Sequence, residues 1–311
     1  MQDAPTPASQ PDTREDAIDA LGAEEVSVRR ARAHERRRPI GVFDSGVGGL
    51  TVLHELLVRL PEEDFVYLGD TARFPYGERA PAEIERFSAQ MAEELLRRGV
   101  KLLVVACNAA TSAALPMLRR RMMETTLSVD VLGVVTPESL QAVASTRSGR
   151  IGLLATPATV ASGAYEQAVA AIDAHVTLHA VACPTLASII QEGTQFDERA
   201  VQTVREACAP LRAANVDTVI LGCTHYPLIR LMIQRMLGPE VRLITSGAAL
   251  ARQVEHALGA RDLRSDGAGE GAYRFLCTGD AESFGALATR FLQMPLGEVG
   301  HVTLDDAGVL A

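Results

Sequence analysis

Short apolar runs alternate with longer amphipathic stretches along most of this chain, and the alternation begins at Pro39. Ile40-Gly41-Val42-Phe43 and Phe65-Val66-Tyr67-Leu68 are too short for helices and too uniformly apolar for half-exposed strands. They read as strands buried on both faces. Between them, residues 50–60 space their leucines and valines as one face of a helix does. The same pairing predicts strands over 101–106, 131–135, 150–155, 176–182, 218–221, 241–245 and 273–277. Helices are expected over 81–98, 110–123, 137–144, 157–172, 184–191, 197–214, 228–237, 248–258 and 281–292, with Pro81 and Pro157 at first turns. An alternation of this kind implies parallel sheets with helices on both faces, which is the α/β class.

Two of these units match. The run Leu102-Leu103-Val104-Val105-Ala106 ends in Cys107-Asn108 at a helix start, and Val219-Ile220-Leu221-Gly222 ends in Cys223-Thr224-His225-Tyr226-Pro227. The repetition suggests two pseudo-symmetric α/β domains with a cleft between them. The expected division is residues 39–134 plus 246–300 for the domain carrying Cys107, and 135–245 for the domain carrying Cys223. Residues 1–38 lack enough large apolar side chains to offset their ordering entropy. They are expected to form a disordered tail that includes the arginine-rich piece from 29 to 38, with at most a transient helix near 17–28.

Composition narrows the function classes. The 311 residues are 47% hydrophobic with mean hydropathy +0.10, as in an ordinary soluble globular protein. The most apolar stretch, residues 102–118, is interrupted by Asn108, Thr111, Ser112 and Pro116, so a strand entering a helix explains it better than a membrane span. No secretory signal is visible, which makes the cytoplasm the expected location. With 39 acidic against 30 basic residues and 4% aromatics, the chain lacks the basic, stacking surface of a general nucleic-acid binder. The five cysteines, at 107, 183, 208, 223 and 277, have no Cys-x-x-Cys spacing and read as reduced thiols, without a zinc site.

A lone cysteine at a strand end is most often a small buried hydrophobe. Two in the same context favour chemistry. A thiol near helix-start amides is expected to have its pKa lowered from about 8.5 toward neutrality. Two opposed thiols without a cofactor motif suit inversion of a carbon bearing an acidic hydrogen, where one group takes the proton from one face and the other delivers it to the opposite face. Asp44-Ser45-Gly46-Val47-Gly48-Gly49 is a glycine-rich turn able to cradle a carboxylate, although Asp44 by itself also reads as a helix cap. The loop from Thr71 to Arg79, rich in Pro, Gly and aromatic residues, suits a substrate-facing role.

Taken together, Asp44-Ser45-Gly46-Val47-Gly48-Gly49-Leu50-Thr51, Gly69-Asp70-Thr71-Ala72-Arg73-Phe74-Pro75-Tyr76-Gly77, Cys107-Asn108 and Gly222-Cys223-Thr224-His225-Tyr226-Pro227-Leu228 resemble the bacterial glutamate racemases, in order and over residues 39–292. The resemblance implies a cofactor-independent isomerase that supplies D-glutamate for peptidoglycan, with Cys107 and Cys223 as the acid/base thiols. It further implies that Asp44, Ser45, Tyr76, Gly77, Asn108, Ala109, Thr159, Thr224 and His225 surround the amino acid. The partner is then a small molecule, glutamate, with no nucleic acid and no membrane, and a homodimer is left open. Two positions depart from the family pattern: Ala109 stands where a Thr or Ser is usual, and Gln191 where a Glu lies near the histidine. An aspartate racemase-like enzyme and a racemase-derived binding protein remain as alternatives, the second suggested by those two departures.

Overall fold

The computed structural model describes residues 29–124, 129–193 and 197–304. The first part of the expected tail, with its transient helix near 17–28, lies outside the described residues. Among the described residues, ten strands form two wholly parallel sheets. The first sheet contains β1 (Ile40–Asp44), β2 (Phe65–Gly69), β3 (Leu102–Val105), β4 (Asp130–Gly133), β9 (Tyr273–Cys277) and β10 (Val299–His301). Their spatial order is β10-β9-β2-β1-β3-β4. The second contains β5 (Arg150–Ala155), β6 (Thr177–Ala182), β7 (Thr218–Gly222) and β8 (Arg242–Ile244), in the order β6-β5-β7-β8.

The continuous apolar runs are explained by cover on both faces. In β1, Ile40 and Val42 join one core cluster and Phe43 another; in β3, Leu102 and Val104 join the first and Leu103 and Val105 the second. Alternate residues therefore point to opposite, equally buried faces, which removes the polar positions a half-exposed strand would show. The flanking helices include α2 (Leu50–Arg59), α3 (Pro81–Arg97), α4 (Asn108–Glu124), α5 (Val135–Ser145), α8 (Leu186–Glu192) and α11 (Ser246–Ala260).

Both sheets turn about a central strand. From β1 the chain adds β2 on one side and β3 on the other; from β5 it adds β6 on one side and β7 on the other. At such reversal points the connecting loops part and leave a crevice beyond the carboxyl ends of the strands, where ligands of parallel sheets bind. Asp44 and Cys107 lie at the first crevice, Thr156 and Cys223 at the second.

Two expectations differ from the structure, and one strand was not foreseen. Residues 29–36, assigned by sequence to the tail, are helical. Arg36 Nη2 pairs with Asp262 at 2.5 Å, and Arg38 donates to the Gly99 and Val100 carbonyls at 2.6 and 2.9 Å. Behind them the buried Lys101 ammonium meets Glu63 at 2.5 Å and also donates to the Arg36 and Leu263 carbonyls. Arginines expected in a disordered tail thus find acceptors at the amino-terminal rim of the first sheet. The helix expected over 157–172 is two, Pro157–Ala161 and α7 (Ala164–Ile172), because Gly163 takes a left-handed conformation with φ 66°. Strand β10 gave no signal, being three residues long and polar at its end.

Candidate active site

Cys107 and Cys223 line one small cavity between the two sheets. Cys107 reaches it from the end of β3, with its sulfur 3.5 Å from the Ala110 amide and 3.7 Å from Ser45 Oγ. It precedes α4, a full helix. Cys223 reaches it from the end of β7, but the next element is a short 3₁₀ turn, Tyr226–Ile229, ahead of α10 (Arg230–Leu237). Its sulfur lies 4.0 Å from His225 Nδ1.

The expected lowering of the thiol pKa values is not found. Burial pushes Cys107 up to about 12, with the nearby Asp44 charge adding to the shift, against the smaller opposing effect of the Ala110 and Ser45 hydrogen bonds. Burial also raises Cys223 well above the ordinary thiol value, while the His225 amide opposes it. A helix terminus is worth at most about 2 kcal/mol, whereas full enclosure shifts a pKa by up to about 3 to 5 units, or roughly 4 to 7 kcal/mol. Burial wins, so both thiols are held protonated.

The groups beside the two thiols shift in opposite directions. Asp44 is fully buried and raised to about 6 by desolvation, although its carboxylate accepts from the Gly46 amide at 3.0 Å and from Thr224 Oγ1 at 3.4 Å. His225 is lowered to about 3 by burial, held between the Phe74 and Phe291 rings with centroids at 5.3 and 5.1 Å. Its neutral ring places Nε2 3.0 Å from Gln191 Oε1. A carbonyl oxygen only accepts, so Nε2 carries the proton and Nδ1 turns a lone pair toward the Cys223 thiol.

Close approaches fix the loops that join the two halves. A Cβ on Gly48 would collide with His225 and Thr224, and one on Gly77 with Thr156. Thr51 Oγ1 donates to the Thr224 carbonyl at 3.0 Å. Tyr67 holds the glycine-rich turn through the Gly46 carbonyl at 2.8 Å.

Of the residues singled out by sequence, Ser45, Tyr76, Gly77, Asn108, Ala109, Thr224 and His225 line the cavity with the two cysteines. Asp44 lies behind them. Thr159 does not line it; its hydroxyl is 3.0 Å from that of Thr156, the lining residue. Tyr76 faces the cavity, but its hydroxyl donates away to buried Asp70, which also accepts from Arg73 at 2.6 Å and Thr278 at 2.7 Å. Phe74 and Pro75, from the loop expected to face the substrate, and Gly222, beside Cys223, complete the wall with Thr156 and Ala187, which were not singled out. Thr156 had a usable signal: it follows β5 as the glycine-rich turn follows β1, at the equivalent reversal point. The cavity is about 20 Å³, room for about one water, and an amino acid needs several times that.

Comparison with known proteins finds racemases in sequence and in overall structure. Residues 49–254 match the family model described as Asp/Glu/hydantoin racemase. A glutamate racemase from Bacillus cereus is 40% identical over 268 residues, covering 86% of this chain and 98% of the relative. The crystal structure of a glutamate racemase isoform from Bacillus anthracis superposes with a TM-score of 0.81 at 38% identity, covering 86% of this chain and 98% of that one. A glutamate racemase from Francisella tularensis, solved in complex with D-glutamate, also gives 0.81, at 31% identity, covering 88% and 100%.

Proposed function

This chain belongs to the Asp/Glu/hydantoin racemase family and is an isomerase, and from that premise we propose that it interconverts L- and D-glutamate by a two-thiol mechanism without a cofactor. The observation that carries the reading is that one strand-end cysteine from each sheet lines the same small cavity. In each turnover one sulfur, as thiolate, takes the α-hydrogen from one face, forming S–H as the C–H bond breaks. The electron pair is left on the α-carbon and its carboxylate. The opposite thiol then gives its proton to the other face and becomes the thiolate. Atoms and charge balance, and the enzyme finishes with the two roles exchanged.

Because burial holds both thiols protonated, one of them must give up its proton to a base before each turnover. On the Cys223 side the nearest acceptor is His225 Nδ1, 4.0 Å from the sulfur. On the Cys107 side Asp44, ionised above about pH 6, is the nearest negative charge. Amides of the 44–49 turn and of the start of α4 suit the substrate carboxylates. Substrate entry requires this cavity to widen, since its free space is far below the size of the amino acid. The product, D-glutamate, serves peptidoglycan synthesis in the cytoplasm on this reading.

Incubation with L-glutamate, D-glutamate and both aspartate enantiomers in deuterium oxide tests the proposal. Inversion of glutamate with deuterium at the α-carbon is expected. Faster inversion of aspartate would overturn the substrate assignment. Binding of glutamate without exchange would leave a racemase-derived binding protein.

A further inference from the structure

Another cavity, of about 650 Å³, shares no residue with the catalytic one. It runs along the outer edge of β8, the last strand of the second sheet. Three arginines from three places in the fold line it: Arg147 in the turn between α5 and β5, Arg230 at the start of α10 and Arg242 at the start of β8. All three are exposed, and among the described residues their guanidinium groups take part in no ion pair or hydrogen bond. Elsewhere in this acidic chain arginines find carboxylates: Arg59 and Arg264 meet Glu255, Arg97 meets Glu93, and Arg98 meets Glu94.

The two carboxylates at this cavity leave the arginines uncompensated. Asp217 is engaged, accepting from Thr146 Oγ1 at 2.6 Å and from the Arg147 and Ser148 amides at 2.8 and 2.7 Å. Glu240 is exposed and supplies a single charge against three. A further polar group is unsatisfied: Gln141, one turn before the end of α5, lines the cavity with its side-chain Oε1 buried and without a partner. A buried acceptor left in this way costs free energy that a ligand hydroxyl can recover.

We propose that this cavity binds a sugar phosphate, with Arg147, Arg230 and Arg242 holding the phosphate and Gln141 a hydroxyl. The guanidinium fork matches phosphate oxygens in shape and charge. Three like charges drawn to one concavity repel one another, and a dianion relieves that repulsion. Size argues for more than a bare phosphate, since small-molecule sites span about 300 to 1,000 Å³ and this one falls among them. The lining argues for a polar body. No aromatic side chain lines the cavity, so a nucleobase finds no face on which to stack. A hydroxyl both donates and accepts, so it pairs with Gln141 whichever way the amide is turned.

Titration calorimetry of the full chain tests this, with glucose 6-phosphate, inorganic phosphate, glucose, adenosine 5′-monophosphate and L-glutamate as probes. Glucose 6-phosphate is expected to bind more tightly than inorganic phosphate, and glucose to give no heat. Arg147→Ala, Arg230→Ala and Arg242→Ala should each weaken it about tenfold, the scale of one lost charge-assisted hydrogen bond. Gln141→Leu should weaken glucose 6-phosphate and leave inorganic phosphate unchanged. Glu240→Gln should tighten both, a direction that damage to the fold does not produce. Arg235→Ala, exposed on α10 but outside the cavity lining, should change neither. Binding is read without turnover, so the outcome stands apart from the racemase reading. An absence of heat with glucose 6-phosphate, or an unchanged Kd in the three arginine variants, would overturn the site. Tighter binding of adenosine 5′-monophosphate, or a glutamate bound here and lost in Arg242→Ala, would overturn the sugar phosphate as its ligand.

Discussion

The two cysteine turns share a backbone device and differ in everything that surrounds it. Cys107 closes β3 ahead of a seventeen-residue helix whose third amide faces its sulfur, with a buried carboxylate, Asp44, as its charged neighbour. Cys223 closes β7 ahead of a single 3₁₀ turn, and its neighbour is a neutral imidazole backed by an amide, Gln191. Burial raises the thiol pKa on both sides, so the local device does not activate either sulfur. What differs is the neighbouring side chain: burial raises one to about 6 and lowers the other to about 3. Strand-end geometry therefore decides where a thiol stands, and the side chain beside it is what differs between the two turns.

The sharpest way to break the comparison is to remove each sulfur in turn. Cys107→Ser and Cys223→Ser are each expected to lower racemisation at least about a hundredfold, because a serine hydroxyl ionises far less readily and acid/base groups contribute about 10² to 10⁴. Each variant retains one thiol on one face. Residual deuterium exchange, followed by NMR, should therefore survive for one enantiomer in the first variant and for the other enantiomer in the second. Exchange of both enantiomers in a single variant would make the two turns redundant.

A smaller effect separates the helpers by pH. Asp44 carries a folded pKa of about 6, above the ordinary carboxylate value, so it is charged above that pH and neutral below it. If the ionised form assists Cys107, kcat/KM falls as pH drops through about 6, and Asp44→Asn removes that limb and lowers the plateau about tenfold or more. His225, lowered to about 3, contributes no titration in this range, so His225→Asn should lower the plateau and keep the limb. The same shifts act on stability with opposite signs. Asp44, raised on folding, favours the folded state below its unfolded value and loses that contribution as pH rises through about 6. His225, lowered on folding, favours the folded state above about 6.5 and loses that contribution as pH falls toward 3. Denaturation midpoints of the two variants across pH 3 to about 7 should diverge from the parent in those opposite senses.

The smallest expected change makes the two sides more alike. Gln191→Glu places a carboxylate about 3.0 Å from His225 Nε2, raises the pKa of the ring and strengthens it as a base toward Cys223. Turnover should rise several-fold, about 1 kcal/mol in barrier, while the neighbouring Glu192→Gln, on an exposed residue, leaves rates unchanged. The reverse pattern in stopped assays would assign the working position to Glu192.

Much of this molecule was legible before folding was considered. Strand and helix alternate on length scales of about five to fifteen residues, and each apolar run carries its own mark of burial on both faces. The motifs around Asp44, Tyr76, Cys107 and Cys223 sit at strand ends, so a parallel α/β reading brings them to the same side of their sheets. That Gln191 stands beside His225 was implied by the family resemblance, at a position where a Glu is usual, and not by any local pattern.

What the chain order could not supply was set by partners far away in sequence. The fate of Arg36 and Arg38 depends on acceptors at Asp262, Gly99 and Val100, and nothing local to residues 29–38 announces them. The meeting of Asn108, Glu138 and Tyr165 joins three helices, each of which reads as ordinary by itself. The thiol pKa values went the other way from the local expectation because a helix terminus is a property of a few adjacent residues. Desolvation instead sums every atom that closes over the sulfur, and those atoms come from both sheets. Sequence thus determined the strands, their ends and the residues carried there; the tertiary structure alone decided how dry the site is, and hence which groups hold their protons.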